Sequence, residues 1–168
     1  MENNIIDKNI QKLLDKLISD EWFAGHIYKQ FILLIDKNER HQVEEQLLDT
    51  ACDELDDHMM SLVKFACENG YEVPTTYNEL KKNADKDDIK LFESCKKNEN
   101  AQWYITKVID AEKRAIETYE KYINEEYVRI NPDLSLIVNN NYYDEVEHLS
   151  QYNFINDSLE ALKKFPKE

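Results

Sequence analysis

Apolar residues recur at the i, i+3, i+4, i+7 spacing of one helical face along most of this 168-residue chain, and only 2 Gly and 3 Pro are present to interrupt that rhythm. Stripes of this period find no partner face in a β-sheet, where side chains alternate every two residues. Tight turns between strands would also need more turn formers than the chain has. What remains is a small number of long helices with few connections, and an all-α fold is expected.

The first stripe runs from Asn4 to about Ile35 through Ile10, Leu13, Leu14, Leu17, Ala24, Tyr28, Phe31, Ile32 and Ile35. The short polar stretch Asp36–Arg40 implies an antiparallel return, a second helix over 40–69 with Val43, Leu47, Ala51, Leu55, Leu62 and Phe65 inward and Gly70 as its C-cap. Residues 70–99 hold Pro74, two Thr and many polar residues, with a short helix suggested around Asp87–Lys96; the stretch is long enough to cross a whole bundle. A third helix over 100–127 puts Val108, Ile109, Ala115, Ile116, Tyr119 and Ile123 on one face. A fourth, over 132–164, opens with Asn131 as N-cap and Pro132 at its first position. The expectation is one domain over 1–168, a four-helix bundle of two antiparallel hairpins joined by a long crossover.

Four glutamates break the apolar faces. Glu21 falls among Leu14, Leu17, Ala24 and Tyr28, and Glu54 among Leu47, Ala51, His58 and Leu62. Glu112 interrupts Ile105, Val108, Ile109, Ala115 and Ile116, while Glu145 interrupts Ile137, Val138, Leu149 and Tyr152, with His148 one turn later. A buried ionised carboxylate costs several kcal/mol unless it is paired or binds a metal. The helices supply few inward Lys or Arg, so a pair of dications is the natural counter-charge.

The spacing repeats. Glu54 lies 33 residues after Glu21, and Glu145 lies 33 after Glu112. An offset of 91 relates Glu21 to Glu112, Glu54 to Glu145 and Tyr28 to Tyr119. Each hairpin thus brings two carboxylates to one height, and each first-helix Glu has a Tyr two turns later on its own face. A site with pseudo-two-fold symmetry is expected.

Glu from two helices, with Glu-x-x-His from the others, resembles the di-iron signature of the ferritin-like superfamily. The segment DEWFAGHIY (20–28) is similar to the first-helix motif of bacterioferritins and of Dps-like proteins with a bacterioferritin-type site, and EVEH (145–148) to the fourth-helix motif. The likeness extends from Asn4 to Lys164. It implies two iron ions per chain, with Glu21 and Glu112 as terminal ligands, Glu54 and Glu145 as bridges and His148 as a nitrogen ligand; manganese or zinc could take the same donors. It also implies that Tyr28 and Tyr119, the candidate catalytic tyrosines, donate hydrogen bonds to ligand carboxylates. Where bacterioferritins carry a haem-binding Met, this chain has Leu55, so no haem is expected; Met59 and Met60 read as core or interface residues.

The second helix departs from the pattern, reading ELDDH over 54–58. The family's spacing, and the 91-residue offset from His148, both fall on Asp57. Helical geometry points to His58, about 40° from Glu54 toward the apolar stripe, whereas Asp57 lies about 60° away on the polar side. We favour His58, keep Asp57 as a substitute ligand or outer carboxylate, and note that a one-residue helical bulge would reconcile the two. His26 and His41 fit solvated positions better than ligand positions.

With 21 Lys and Arg against 35 Asp and Glu, the formal net charge is −14, which repels nucleic acid and attracts Fe(II). Met1–Ile10 is not a basic arm. Three cysteines, Cys52, Cys67 and Cys95, form no C-x-x-C pair, which excludes a rubredoxin-type site. No apolar run could span a membrane and no signal-peptide layout opens the chain, so a cytoplasmic protein is expected. The family resemblance then implies a ferroxidase that oxidises Fe(II) with O2 or H2O2 and stores or detoxifies iron in a homo-oligomeric shell. The ending Phe165-Pro166-Lys167-Glu168 leaves no fifth helix and favours a 12-mer. A rubrerythrin-like di-iron peroxidase without a rubredoxin domain, and a metal-free helical interaction module, are the alternatives.

Overall fold

A computed structural model describes residues 2–164, so Met1 and the tail Phe165–Glu168, on which the expected absence of a fifth helix rests, lie outside the described residues. Helix α1 is Glu2–Leu34. A second rod returns beside it as α2 (Glu44–Cys52), a π-helical turn (Asp53–His58) and α3 (Met59–Asn69). The crossover carries α4 (Tyr77–Asn83) and α5 (Lys86–Ser94), both packed on α1. The second hairpin is α6 (Ala101–Ile123), the single turn α7 (Glu126–Arg129) and α8 (Pro132–Lys163), with α6 packed along α8. No strand occurs among the described residues, and none of their helices is long and apolar enough to cross a membrane.

Local chemistry sets the ends. Gly70 closes α3 at φ 76°, the left-handed conformation that only a residue without Cβ adopts freely. Asn131 accepts the Leu134 N–H ahead of Pro132, starting α8 where the missing proline donor is harmless. The structure also differs from the expectations of periodicity. Thr76 and Glu79 form a reciprocal capping box that starts α4, a helix that no apolar stripe announces although T-x-x-E stands in the sequence. The third rod stops at Ile123 rather than 127, because Asn124 turns its side chain back onto the Glu120 carbonyl and Glu125 is extended. The second rod starts at Glu44 rather than 40, since buried Val43 lies outside helical geometry after a 3-10 turn, Arg40–Gln42.

Leu13, Leu14, Leu17, Phe31, Leu47, Leu62, Tyr104, Val108, Val138 and Tyr152 are among the core side chains buried along the four rods. Each contributes about 1.5–3 kcal/mol, so two or three of them offset one buried carboxylate costing several. The end of the crossover is tied to the end of α1. Asn98 donates its backbone N–H to the Leu34 carbonyl at 2.8 Å, and the Tyr104 hydroxyl donates to the Leu34 and Lys96 carbonyls.

Gly25 lets the first two rods close in one turn from Glu21. A Cβ there would stand 2.5 Å from Leu55 Cγ and 3.1 Å from the Ala51 carbonyl oxygen. Gly25→Ala should therefore destabilise the protein by about 1 kcal/mol, the overpacking cost of about 1–3 outweighing a helix-propensity gain near 1. Urea unfolding checks this, and a raised midpoint would show that Leu55 moves aside freely.

Candidate metal centre

Each rod delivers one glutamate to mid-height: Glu21 from α1, Glu54 from the π turn, Glu112 from α6 and Glu145 from α8. None is more than 3% exposed. With two histidines they form two groups that share Glu54 and Glu145. In the first, Glu21, Glu54, His58 and Glu145 bring one donor atom each to within 4.8 Å of one another; in the second, Glu54, Glu112, Glu145 and His148 do the same.

The histidines sit symmetrically. His58 Nδ1 is 3.1 Å from Glu54, 3.3 Å from Glu145 and 3.7 Å from Glu21. His148 Nδ1 is 3.5 Å from Glu54, 3.7 Å from Glu112 and 3.9 Å from Glu145. The far nitrogens face outward, His58 Nε2 at 3.3 Å from Asp144 and His148 Nε2 at 3.3 Å from Asp53. A carboxylate on the outer nitrogen fixes the ring and makes the inner nitrogen a better donor to a cation.

The tyrosines cross between hairpins. Tyr28 of α1 donates to Glu112 at 2.6 Å, and Tyr119 of α6 donates to Glu21. Burial, with the charge of Glu112 or Glu21 beside them, holds both phenols well above their ordinary range, so they remain donors. Asn141 donates in turn to the Tyr119 oxygen at 3.0 Å.

Burial, then repulsion from Glu54, raises Glu21 well above the usual carboxylate range, and burial with Glu145 does the same to Glu112. Burial also pulls the histidines down, but facing carboxylates override it. His148 is pushed up to about 11 by Glu145 and Glu54, and His58 is raised by Glu54, Glu145 and Glu21. On Glu54 burial acts upward, yet the proton shared by Glu21 and the two imidazoliums bring it below its ordinary value. Protons therefore act as counter-charge within the cluster. They do not satisfy it fully: Glu54 Oε1, Glu112 Oε2, Glu145 Oε1 and His148 Nδ1 are buried without a hydrogen-bond partner. Three acceptors and an imidazole nitrogen left orphaned around a common interior fit divalent cations, and an oxygen-rich set with one nitrogen per ion suits iron, manganese or zinc.

A model of the ferritin-like domain matches residues 11–160. The chain belongs to the ferritin-like family. Among solved structures it is similar to a dodecameric thioferritin, the bacterioferritin-related protein of Bacteroides fragilis, with a TM-score of 0.78 over 96% of this chain and 92% of that one at 17% identity. No curated protein matches it in sequence.

Against the ferritin-like Glu-x-x-His spacing, this chain has one residue more, and the backbone absorbs it. The Met59 N–H bonds to the Glu54 carbonyl, five residues back, inside the Asp53–His58 π turn. The turn carries His58 inward, 1% exposed, and leaves Asp57 exposed and in neither group. Before the turn the hairpins correspond at an offset of 91, as in Leu47 with Val138; after it they correspond at 90, as in His58 with His148 and Leu62 with Tyr152. His26 stacks on Trp22 and bonds to its carbonyl, and His41 is exposed. Leu55 is buried and Met60 is 45% exposed. Periodicity does not single out Asn141, Asp53 or Asp144, although Asp-Glu occurs at both 53–54 and 144–145, again 91 apart.

Deleting Asp57 should turn the segment into regular α-helix and leave stability within about 1 kcal/mol of the parent. Deleting Lys64, in regular α3, would rotate the remainder of that helix by about 100° and should cost several kcal/mol. Urea unfolding of both variants decides the point. Equal damage would mean that the π turn is not an insertion.

Proposed function

We propose that this ferritin-like protein is a ferroxidase that takes two Fe(II) ions per chain as substrate and passes their electrons to dioxygen or hydrogen peroxide. One observation carries the reading: two groups of buried carboxylates and imidazoles converge from four helices with orphaned atoms facing one another. Among the described residues none of these glutamates pairs with a Lys or Arg; their charged partners are His58 and His148. A metal-free bundle would carry that polar burden for no return.

In this reading Glu21 and His58 hold one ion, Glu112 and His148 the other, and Glu54 and Glu145, common to both groups, bridge them. Tyr28 and Tyr119 fix the terminal carboxylates, each from the opposite hairpin, so the ions' separation is set by the packing of α1 on α6. Asp53 and Asp144 orient the histidines. Two ferrous ions side by side supply two electrons, which with two protons reduce hydrogen peroxide to two waters or dioxygen to hydrogen peroxide. Asp57 stands outside the ligand set, and manganese or zinc remains compatible with the same donors.

We further propose that the oxidised iron is stored, and peroxide detoxified, in a cytoplasmic homo-oligomeric shell. The similar Bacteroides fragilis protein is dodecameric. Here α8 exposes Leu136, Tyr143, Phe154 and Leu162, apolar side chains suited to contact between copies. The charge of −14 favours iron over nucleic acid as cargo.

Anaerobic Fe(II) titration should give two ions per chain, and Glu54→Ala or Glu145→Ala should leave one or none and slow oxidation at least 100-fold by stopped-flow absorbance. Two ions bound by both variants would refute the bridging assignment. Raised Glu21, Glu112, His58 and His148 hold protons before any ion binds, so cation binding must expel them. Binding should release protons and weaken as pH falls from 8 to 6. A pH-stat titration with Co(II) reads the release directly, and a release near zero would contradict it.

A further inference from the structure

Two cavities that reach the residues of the centre differ sharply in width. On the histidine side lies a broad mouth of about 440 Å³ between the second rod and α8. Five carboxylates line it, Asp49, Asp53, Asp57, Asp144 and Glu147, with no Lys or Arg. Such a mouth concentrates hydrated cations.

On the opposite side a slot of about 30 Å³ lies between Leu17 and Ala24 of α1 and Ala111 and Ala115 of α6; Glu21, Glu54 and Glu145 line one part of it, and Asp20, Asp85, Asp88 and Arg114 another. Arg114 closes its outer end. The guanidinium donates to buried Asp88 and, at 3.1 Å, to the Asp110 carbonyl, and its Nε lies 3.5 Å from Asp85, the N-cap of α5. Asp85 is itself held to α1, donating its backbone N–H to Asp20 at 2.8 Å. The slot has room for about two waters. A metal ion with its coat of several waters does not fit; width alone excludes it, because Asp88 and Asp85 pair the guanidinium. An uncharged molecule of two heavy atoms does fit, and Ala24, Ala111 and Ala115 offer it an apolar wall.

We propose that the O–O oxidant, dioxygen or hydrogen peroxide, reaches the four glutamates through this slot, with the Arg114–Asp88 pair as its outer closure, while Fe(II) arrives past the histidines. The proposal rests on the ferroxidase reading above. It separates the two substrates by width: the hydrated cation enters through the broad mouth, and the small uncharged oxidant passes the alanines of the narrow slot.

Ala115→Leu fills the slot and Arg114→Ala opens it. Each full-length variant would be loaded with Fe(II) anaerobically and mixed with limiting dioxygen, hydrogen peroxide or cumene hydroperoxide in a stopped-flow instrument, with Co(II) uptake measured in parallel. Ala115→Leu should still bind two Co(II) per chain while its second-order rate with the small oxidants falls at least tenfold. A fall with only one of them assigns the slot to that oxidant. Arg114→Ala should raise the rate with bulky cumene hydroperoxide, relative to hydrogen peroxide, at least tenfold, a gain that misfolding cannot produce. Parent-like oxidant dependence in Ala115→Leu with Co(II) uptake intact overturns the proposal. If that variant loses Co(II), an unchanged cumene ratio in Arg114→Ala overturns it instead. Failure of the unmodified protein to bind two Co(II), or to oxidise Fe(II) with either oxidant, sinks the ferroxidase reading itself.

Discussion

Enclosing four carboxylates at the centre of an apolar core is the constraint on which the structure turns. Glu21, Glu54, Glu112 and Glu145 sit where Leu or Ile would add stability, and each is drawn from a different rod. Such an arrangement persists only if positive charge enters with it. Protons and two imidazoliums take that part within the cluster, leaving three carboxylate oxygens without partners. The surrounding layers of Leu, Ile, Val and Phe make up the deficit in folding energy, and their length above and below the site accounts for rods of 23 to 33 residues.

The symmetry of the site follows from the same constraint. Two like hairpins, facing each other, present each terminal carboxylate to a tyrosine of the other. Because Tyr28 reaches Glu112 and Tyr119 reaches Glu21, sliding α1 along α6 would break both hydrogen bonds at once. Register between hairpins is thus fixed at the site as well as at the end of the crossover, where Asn98 and Tyr104 bond the Leu34 carbonyl. The crossover has a further task, to carry α5 across α1 and hold Asp85 and Asp88 against Arg114.

Much of this is legible in the sequence because stripes and spacings are global properties. The all-α class, the two hairpins, the four interrupting glutamates and the paired positions of Tyr28 and Tyr119 follow from periodicity and from the 91-residue offset, whereas the reach of each tyrosine to the opposite hairpin shows only in the structure. Local backbone choices are less visible. Sequence alone names the π turn at 53–58 only as one way to reconcile ELDDH with the family spacing, because one extra residue can be absorbed as a bulge or as a rotation of the rest of the rod. A signal does exist: beyond the turn, apolar partners match at 90 rather than 91, as in Leu62 with Tyr152. The capping box of α4 is hidden because Thr76 and Glu79 lie in a stretch too polar to show an apolar stripe. Asn141 is hidden because a single amide on a helix face carries no charge imbalance, and its bonds to Tyr119 and to the His58 carbonyl show only in the structure.

The π turn also explains why the site is asymmetric in access although symmetric in ligands. With one extra residue the second rod carries a π turn at Asp53–His58, and half-buried Asp53 and exposed Asp57 line the wide mouth. The corresponding stretch of α8 is regular helix and contributes Asp144 and Glu147 from its own exposed face. On the other side α1 and α6 meet through Leu17, Ala24, Ala111 and Ala115 without a bulge, so that groove stays narrow, with Asp20, Asp85, Asp88 and Arg114 in its lining. Small residues there let the tyrosines cross, and the same small residues leave the slot. One groove is broad and the other narrow: the rod beside the broad one carries the inserted residue, and the pair beside the narrow one meets through alanines.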